Sequence, residues 1–327
     1  MPIIACGINH KTAPITLREK VVFSVEKLPL YLQDLSMNEN IREAVLLSTC
    51  NRSELYCDTD DEQKIIDWFC RHHQLTPAEL TSAMYFYHEE EAVMHIMQVA
   101  CGLDSMVVGE SQILGQMKDA FGESCASGTV GTLFNRLFQH VFAVAKEVRT
   151  NTAIGACPVS VSSAAVQFVK HHFSKPLNDA NVVLIGAGVT MDLVMRHLQP
   201  NQPRSVTIVN RSVENAIDIA KKYAAKHANI ANLPDVLVDA DIVISATGST
   251  MPLLTKTMLY GRQKPLFIVD IAVPRDVEAR VSELPNVELY SIDDLKTIIQ
   301  QNMRGREHAA EKAYDVIKER QPAQIHY

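Results

Sequence analysis

The sequence has no apolar segment long enough to cross a membrane. A transmembrane helix needs roughly 20 uninterrupted apolar residues, and no stretch of the 327 residues approaches that length. The first residues, Met1-Pro2-Ile3-Ile4-Ala5-Cys6-Gly7, have no charged region ahead of their apolar positions and so do not resemble a signal peptide. These absences predict a cytoplasmic protein that does not associate with a membrane.

The cysteines show no pattern that is typical of disulfides or of a structural metal site. They number seven, which is odd, and none forms a CxxC pair. The neighbouring histidines His72-His73 and His171-His172 lack the spacing of paired zinc ligands. We therefore expect reduced thiols and no bound metal.

The chain also lacks an excess of positive charge. It has 31 Lys and Arg against 38 Asp and Glu, for a formal net charge of -7. General affinity for nucleic acids depends on neutralising phosphates and is not expected at this balance. Arg136, Lys146 and Arg149 could form a local basic face, although a solvated helix face is the simpler interpretation.

The first half of the chain predicts a mixed domain of strands and helices. A length of 327 residues with 47% hydrophobic positions suggests two globular domains. The predicted elements are strands at Ile3–Ile8, Glu43–Thr49 and Glu54–Cys57, helices at Val25–Leu35 and Ile65–His73, and three packed helices between Glu90 and Thr150. Their order indicates an open sheet with helices on one face.

The second half predicts a doubly wound, Rossmann-type nucleotide-binding domain. A helix over Pro158–His172 and a linker over 174–179 come first, and apolar strands then alternate with helices such as Ser212–Ala224. The predicted strands are Asn181–Ile185, Ser205–Val209, Asp241–Ser245 and Leu266–Val269. A charged helix capped by Ser291 ends the chain. The domains are therefore expected at 1–155, 156–290 and 291–327.

One cysteine is a candidate nucleophile. Cys50 follows the apolar run Ala44-Val45-Leu46-Leu47 and lies among small polar groups, with Arg52 two residues beyond it. Thiolate is the reactive form of cysteine, and a nearby guanidinium with hydroxyl and amide donors favours it. The alternative is an inert thiol that only fills space, as buried cysteines often do.

A glycine turn in the second half is a candidate phosphate-binding site. Gly186-Ala187-Gly188 follows an apolar strand and precedes a helix, and such a turn lets backbone N–H groups and the helix N-terminus contact a pyrophosphate. Met191 replaces the third glycine of the fingerprint, which predicts looser packing of helix on strand. The predicted cofactor-binding residues of this turn are Gly186, Ala187, Gly188, Val189, Thr190 and Met191.

The next strand favours NADPH over NADH. An acidic residue at its end would bind the ribose 2′-OH, but the strand ends in Asn210-Arg211-Ser212, whose amide, guanidinium and hydroxyl suit a 2′-phosphate. The alternative is that Arg211 only caps a turn. Thr247 and Gly248 follow a later strand, and Asp270-Ile271-Ala272-Val273-Pro274-Arg275 follows another. Both segments lie at the edge where such sheets bind ligands, so either is expected to border the nicotinamide.

Several runs of sequence carry a family resemblance. They are Gly7-Ile8-Asn9-His10-Lys11-Thr12-Ala13-Pro14, Ser48-Thr49-Cys50-Asn51-Arg52-Ser53-Glu54, Gly102-Leu103-Asp104-Ser105, Gly109-Glu110-Ser111-Gln112-Ile113-Leu114-Gly115-Gln116, Gly186-Ala187-Gly188 and Asp270-Ile271-Ala272-Val273-Pro274-Arg275-Asp276. In these runs the chain resembles glutamyl-tRNA reductase, an oxidoreductase of porphyrin (tetrapyrrole) biosynthesis. The resemblance implies NADPH-dependent reduction of glutamyl-tRNA(Glu) to glutamate-1-semialdehyde, the precursor of 5-aminolevulinate.

The resemblance also implies roles for individual residues. Cys50 would attack the glutamyl ester, release tRNA and hold a glutamyl thioester, which hydride from NADPH would reduce. Arg52 would pair with the glutamyl carboxylate. The implied substrate-binding residues are Thr49, Asn51, Arg52, Ser105, Glu110, Ser111, Gln112 and Gln116. His95 matches a histidine near the family's active site, as proton donor or positioning group, although a core histidine is the alternative.

The end of the chain departs from the family. Members normally continue from the long charged helix into a helical dimerisation domain, whereas this chain stops at Tyr327. Dimerisation by the usual route is therefore not expected, and partnership with glutamate-1-semialdehyde aminomutase is implied by the resemblance alone. Two other hypotheses remain open at this stage: a reductase of another activated acyl group, such as an acyl phosphate, and a catalytically impaired NADPH-binding or haem-responsive regulatory paralogue.

Overall fold

The structure is a computed structural model that describes residues 2–37, 40–152, 154, 160–296, 298–299 and 307–321. The chain divides into two compact units, Met1–Pro158 with Asn302–Tyr327, and Val159–Gln301. The segment 291–327 is thus shared between them. Within the described residues, no helix combines the length and the apolar character needed to cross a bilayer.

The first unit is built on a four-stranded antiparallel sheet. Its strands are β1 (Ile3–Asn9), β2 (Glu43–Ser48), β3 (Arg52–Asp58) and β4 (Tyr85–His88), in the order β2-β3-β1-β4. The three predicted strands are confirmed with small changes at their ends, and β4 was not predicted. A tight turn over residues 49–51 joins β2 to β3 and carries Cys50.

Helices cover both faces of this sheet, so the prediction of helices on one face is wrong. One face packs on α5 (Glu89–Ala100), α6 (Gln112–Ala126) and α7 (Thr132–Asn151), and the other on α2 (Leu28–Ser36) and α3 (Glu62–His73). The strands are apolar at successive positions, as strands buried on both faces are. Two short helices, α1 (Ile15–Arg18) and α4 (Pro77–Thr81), and short 3-10 turns at Glu19–Val21 and Val25–Lys27 complete the unit's connections.

The second unit is a six-stranded parallel sheet. Its strands are β5 (Asn181–Ile185), β6 (Ser205–Asn210), β7 (Lys226–Asn229), β8 (Ile242–Ser245), β9 (Leu266–Asp270) and β10 (Val287–Ser291). The spatial order is β10-β9-β8-β5-β6-β7, which is the doubly wound order of dinucleotide-binding domains, with its switch point between β5 and β8. The predicted Rossmann architecture is confirmed, and β7 and β10 are additions.

The helices of this unit precede or connect its strands. α8 (Val161–His172) precedes the first strand, and α9 (Val189–Leu198), α10 (Val213–Tyr223) and α11 (Leu233–Leu237) lie between strands. The unit's 3-10 turns among the described residues are Leu177–Asp179, Gln199–Asn201, Ile230–Asn232, Lys256–Leu259, Ala279–Glu283 and Ile292–Leu295. Ser160 caps α8 through a capping box with Ser163. The proline predicted in the first turn of this helix, Pro158, lies outside the described residues.

The charged C-terminal segment forms a helix that packs on the first unit. Ser291 makes the predicted cap, as a capping box with Asp294, at the start of a 3-10 turn. The last helix, α12 (Glu307–Arg320), buries Ala309, Ala313 and Ile317 in the core beside α5 and α7. An apolar stripe therefore gives this otherwise charged helix a partner. Residues 297 and 300–306, between the two segments, lie outside the described ranges.

Candidate active site

The turn between β2 and β3 is held in shape by hydrogen bonds that surround Cys50. The Thr49 hydroxyl accepts from the backbone N–H groups of Asn51 and Arg52, both at 3.2 Å. The Thr49 N–H donates to the Arg52 carbonyl at 2.8 Å. These hydrogen bonds join Thr49 to the two residues that follow Cys50, and they therefore fix the backbone of the turn that carries Cys50.

A separate segment of the chain also binds this turn. The His10 N–H donates to the Asn51 carbonyl at 3.0 Å. Arg18 donates from Nη1 to the Cys50 carbonyl at 3.2 Å and to the Asn51 Oδ1 at 3.3 Å. Asn51, predicted as a substrate contact, therefore uses its side-chain oxygen to bind Arg18.

Cys50 is half-buried, which distinguishes it from the other five described cysteines. Cys6, Cys57, Cys70 and Cys101 are buried, and Cys125 is exposed. Burial raises the pKa of the Cys50 thiol to about 12, Glu110 adds to that shift, and Arg18 and Arg52 oppose it. Arg52 thus favours the thiolate, in the direction that the sequence suggests, but its charge does not offset the effect of burial.

Arg52 is occupied by two carboxylates of the protein. Its guanidinium donates to Glu54, to the Asp104 Oδ2 at 3.0 Å and to the Asp104 carbonyl at 2.6 Å, and the side chain is 1% exposed. Burial would lower its pKa, but Glu54 and Asp104 raise it well above the usual range. Both terminal nitrogens of the guanidinium are therefore bound within the protein. In this arrangement Arg52 does not offer them for the bidentate pair with the glutamyl carboxylate that the resemblance implies.

Glu54 is the centre of a buried polar network. Its carboxylate accepts from Arg52 and from the hydroxyls of Tyr56 and Tyr85, and it lies 3.2 Å from the Nε2 of His95. Burial would raise its pKa, but Arg52 and His95 lower it well below the usual range. The network therefore contains an ionised carboxylate that is fully hydrogen-bonded.

His95 is a buried member of this network. It is 5% exposed and its ring stacks on Tyr87, with 4.6 Å between ring centroids. Tyr85 contacts it edge-on at 5.4 Å. His95 thus has features of both alternatives. It is a buried histidine with a hydrogen-bond partner, as a core histidine would be, and it belongs to the polar cluster beside the turn that carries Cys50.

The carboxylates and imidazole of this network also have metal-like spacing. One ligand atom each of Glu54, His95 and Asp104 lies within 4.8 Å of the others. Arg52 binds both carboxylates, so its guanidinium supplies the positive charge that balances them. We therefore assign the cluster to an ion-pair network.

The loop before α6 brings further predicted substrate residues to this unit's site. It is folded back by a 2.8 Å hydrogen bond from the Gly109 N–H to the Gly102 carbonyl, and both glycines have positive φ. Ser105 is buried, and its hydroxyl makes no hydrogen bond of normal geometry among the described residues. Glu110 is half-buried, and burial raises its pKa.

The rest of the predicted substrate set lies at the start of α6. Ser111 precedes the helix and is exposed, Gln112 is half-buried and Gln116 is exposed. Ile113, Met117 and Phe121 are buried on the other side of the same helix. The helix thus presents its polar residues away from the core, as the sequence predicts.

In the second unit, the turn after β5 fits a dinucleotide phosphate. Gly186 has φ +116°, and a Cβ there would lie 2.4 Å from the Ala246 carbonyl oxygen, so only glycine is accommodated. A Cβ on Gly188 would meet nothing within 4 Å, which leaves open space in front of the backbone where α9 begins. Val189 is 73% exposed at the first helical position. The exposed backbone and helix N-terminus suit an anion.

Met191 does not face that space. Its side chain is fully buried, and its N–H donates to the Gly188 carbonyl at 3.0 Å. A large buried side chain fills the position that the third glycine usually leaves small. Its predicted role as a cofactor neighbour is therefore limited to its backbone.

The end of β6 presents an accessible cation. Arg211 is exposed, whereas Asn210 and Ser212 are half-buried and bind locally. The Asn210 Nδ2 donates to the Ser212 carbonyl at 3.0 Å, and the Ser212 hydroxyl donates to Glu214 at 3.0 Å. Of the three, Arg211 is the residue best placed to receive a 2′-phosphate.

Two buried carboxylates hold the edge of the sheet near Thr247 and Gly248. Asp276 accepts from the Thr247 N–H at 2.8 Å and from the Thr247 hydroxyl. Asp270 accepts from the Ser245 hydroxyl at 2.9 Å and from the Val277 N–H at 2.9 Å. Burial raises the pKa of Asp270 to about 7 and that of Asp276 to about 6.

These features define a class of protein. A half-buried cysteine on a fixed turn is a candidate for covalent catalysis, and a Rossmann unit with a phosphate-accommodating glycine turn and an exposed arginine at the second strand is of the NADP-binding type. The chain is a two-domain, dinucleotide-dependent oxidoreductase.

Comparisons with known proteins show which family of this class it is. Residues 6–152 match the family model described as Glutamyl-tRNAGlu reductase, N-terminal domain, and residues 167–298 match that of Shikimate / quinate 5-dehydrogenase. The chain is 48% identical over 327 residues to the glutamyl-tRNA reductase of Pseudoalteromonas translucida (strain TAC 125), which covers 98% of this chain and 78% of that relative. It is 47% identical over 324 residues to that of Shewanella sp. (strain W3-18-1), with the same coverage.

A solved structure agrees. The glutamyl-tRNA reductase from Methanopyrus kandleri matches with a TM-score of 0.53 and 30% identity, over 97% of this chain and 78% of that one. The chain therefore belongs to the glutamyl-tRNA reductase family, and the resemblance seen in the sequence is confirmed. Because the identity extends through both units, a regulatory paralogue is not favoured.

Sequence reasoning missed several residues of the site. Arg18, His10 and Asp104 were not assigned roles, and Glu54 was only part of a matching run. One signal was available: Arg52 and Glu54 are charged, lie two apart on a strand, and so share a face with Tyr56 inside an apolar domain. Charges at that spacing in a buried strand indicate a paired network.

Proposed function

We propose that this chain reduces the glutamyl ester of tRNA(Glu) to glutamate-1-semialdehyde, with NADPH as the reductant and Cys50 as the nucleophile. The observation that carries the proposal is the fixed turn of Cys50, whose thiol is half-buried beside a network of charged and polar side chains. Family membership supports the substrate, and the glycine turn and Arg211 support the cofactor.

In the first step the glutamyl group is transferred from the tRNA ribose to the sulfur of Cys50. Its sulfur attacks the ester carbonyl carbon, the C–S bond forms, and the C–O bond to the ribose breaks. The thiol proton leaves the sulfur, and the departing ribose oxygen takes up a proton. The pKa of about 12 for Cys50 makes the thiol the resting form, so the thiolate must be generated during substrate binding or attack.

His95 is the proposed proton donor to the leaving ribose oxygen. Its Nε2 lies against Glu54, whose low pKa makes it a hydrogen-bond acceptor. With Nε2–H donating to Glu54, Nδ1 would be the ring atom that accepts the proton lost from the Cys50 thiol and passes it to the leaving ribose oxygen. Full turnover in a His95→Asn variant would overturn this role.

Charged and polar groups near Cys50 are proposed to bind the glutamyl moiety. Glu110 is close enough to raise the pKa of the thiol and suits the substrate's ammonium group. The buried Ser105 hydroxyl lies near the Glu110 carboxylate but makes no hydrogen bond of normal geometry among the described residues, so it is available to an oxygen of the substrate. Thr49, Asn51 and Arg52 shape the turn, and Ser111, Gln112 and Gln116 offer side chains from α6.

The second unit is proposed to bind NADPH, which supplies the hydride that reduces the thioester carbonyl to an aldehyde. Gly186, Ala187, Gly188, Val189 and Thr190 would hold the pyrophosphate, and Asn210, Arg211 and Ser212 the 2′-phosphate. Thr247 and Gly248 lie at the carboxyl edge of the sheet and would border the nicotinamide. Asp276 fixes this loop by accepting two hydrogen bonds from Thr247.

The proposed partners follow from this reaction. Glutamyl-tRNA is the substrate, and an aminomutase that consumes the semialdehyde is a reasonable recipient, because a free aldehyde is reactive. We place the reaction in the cytoplasm.

One assay tests the proposed function. Purified protein is incubated with glutamyl-tRNA, with and without NADPH, and the products are analysed for semialdehyde and released tRNA. We expect semialdehyde only with NADPH, and we expect NADH to be a poorer substitute. Absence of both products with a protein that binds NADPH would overturn the reductase assignment. Reduction of an acyl phosphate at the same rate as glutamyl-tRNA would favour the hypothesis of a reductase that acts on another activated acyl group.

A further inference from the structure

The segment that follows β1 places a buried arginine against the turn over residues 49–51 that carries Cys50, which we call the nucleophile turn. The Asn9 side-chain oxygen accepts from the Lys11 N–H at 2.9 Å and the Thr12 N–H at 3.2 Å, and its carbonyl accepts from the Ala13 N–H at 2.9 Å. This Asx-type turn reverses the chain. It leads directly into α1, whose last residue is Arg18.

Arg18 is buried, so its charged guanidinium needs hydrogen-bond partners within the protein. It is 2% exposed, and desolvating a guanidinium costs free energy unless hydrogen bonds compensate. Its Nη1 binds the Cys50 carbonyl at 3.2 Å and the Asn51 Oδ1 at 3.3 Å. The first of these bonds is to the main chain of the nucleophile itself.

The two arginines near Cys50 differ in where their hydrogen bonds go. Arg52 donates to the Glu54 and Asp104 carboxylates, whereas Arg18 donates to the carbonyl of the nucleophile. Both lower the pKa of the Cys50 thiol against the effects of burial and Glu110, and the effect of Arg18 is the larger. Arg18, which is 32 residues from Cys50 in the sequence, therefore lowers the pKa of the thiol more than the nearby Arg52 does.

We propose that Arg18 is a positioning residue for Cys50: by binding the Cys50 carbonyl and the Asn51 side chain, its guanidinium fixes the backbone of the nucleophile turn and holds a positive charge there that acts on the sulfur. The catalytic importance of this role rests on the proposed function. The state of the thiol does not, because it can be measured in the enzyme without substrate.

The test is the alkylation of Cys50 by iodoacetamide in wild type, Arg18→Lys, Arg18→Met and a control, Arg42→Met. Arg42 pairs with Asp58 at the other end of the same hairpin and is 46% exposed. The rate is read at several pH values from the mass of the Cys50 peptide, and the exposed Cys125 is the internal reference. Each pKa unit changes the thiolate fraction about tenfold below the pKa.

We expect Arg18→Met to slow Cys50 alkylation at pH 8 by about tenfold, while Cys125 and the Arg42→Met protein react at the wild-type rate. Arg18→Lys should retain part of the rate, because it keeps the charge and loses the guanidinium fork. A wild-type rate at Cys50 in a folded Arg18→Met protein would overturn the proposal. If that variant does not fold, Arg18→Lys carries the test: its own unchanged rate, with unchanged turnover, would overturn the proposal.

Steady-state kinetics separate positioning from substrate binding. A positioning role predicts that kcat for glutamyl-tRNA falls in step with the alkylation rate, with KM within about twofold of wild type. A large rise in KM with unchanged alkylation would show instead that Arg18 binds the substrate, and the proposal would fail. If wild type reduces no glutamyl-tRNA but Cys50 alkylation still depends on Arg18, the proposed function fails and the inference about the thiol stands.

Discussion

The Arg52 guanidinium donates a hydrogen bond to the Glu54 carboxylate inside the first unit, and the two side chains are 1% and 0% exposed. Glu54 in turn binds two tyrosine hydroxyls and His95. Cys50 lies on the turn that precedes Arg52, beside this compensated charge network, and we expect the stability of the unit to depend on keeping the network complete.

Glu54→Gln should strongly destabilise the first unit. The substitution leaves the buried Arg52 without its carboxylate on this side, and breaking a buried ion pair costs roughly 3–5 kcal/mol. Denaturant unfolding of the full chain measures the loss. Glu123→Gln, on the exposed side of α6, is the matched control and should change the unfolding free energy by less than about 0.5 kcal/mol. Equal stability of the two variants would contradict the network's role.

Two glycine substitutions should separate folding from cofactor binding. Gly186→Ala places a Cβ 2.4 Å from the Ala246 carbonyl at a positive φ, so we expect a less stable second unit and weak NADPH binding. Gly188→Ala meets nothing within 4 Å in the protein, so thermal stability should hold while its methyl group raises the Kd for NADPH. Thermal melts and NADPH titrations decide this, and unchanged NADPH affinity in Gly188→Ala would argue against the phosphate site.

Arg211→Ala should reduce the preference for NADPH over NADH. Losing a charge-assisted hydrogen bond worth about 1.5–3 kcal/mol should raise the Kd for NADPH about tenfold or more and leave that for NADH nearly unchanged. Arg204→Ala is the control, because Arg204 is an exposed arginine paired with Asp179 in the same unit. Parallel losses for both cofactors would show that Arg211 only supports the turn.

The second unit should lose stability as pH rises through the neutral range. Folding raises the pKa of Asp270 from 3.8 to about 7 and that of Asp276 from 3.8 to about 6. A raised pKa means that the folded state binds the proton more tightly, so the contribution is complete below about pH 4 and is lost as pH rises to about 7.

Asp276→Asn tests this pH dependence. We expect the fall in the second unit's thermal midpoint between pH 5 and pH 8 to be smaller in this variant than in wild type, since one titrating group is gone. Asp179→Asn, at an exposed ion pair, should keep the wild-type dependence. Identical pH profiles for Asp276→Asn and wild type would contradict the assignment.

The sequence predicts much of the fold because strong patterns coincide with the core. The apolar strand Asn181–Ile185, followed by Gly186, is enough to place the Rossmann unit and its phosphate turn. β7 and β10 are missed for a physical reason: Lys226–Asn229 and Val287–Ser291 are edge strands, and their polar residues carry no buried-strand pattern.

The candidate site is only partly predictable for a different reason. Cys50 and its turn are local features and can be recognised along the chain. The partners that control them, Arg18 and Asp104, are separated from the turn by tens of residues and come together only in the folded unit. The effect of Arg52 on the Cys50 pKa can be inferred from the sequence, but the larger opposing effect of burial cannot, because it arises only in the folded unit.

The central claim is that Cys50 carries the glutamyl group, and intact-protein and peptide mass spectrometry tests it most directly. Protein mixed with glutamyl-tRNA in the absence of NADPH should gain the mass of one glutamyl group on the Cys50 peptide, and added NADPH should remove that adduct as semialdehyde forms. Cys125→Ser should behave like wild type, and Cys50→Ser should form neither adduct nor aldehyde. Semialdehyde production by Cys50→Ser at the wild-type rate would contradict the account.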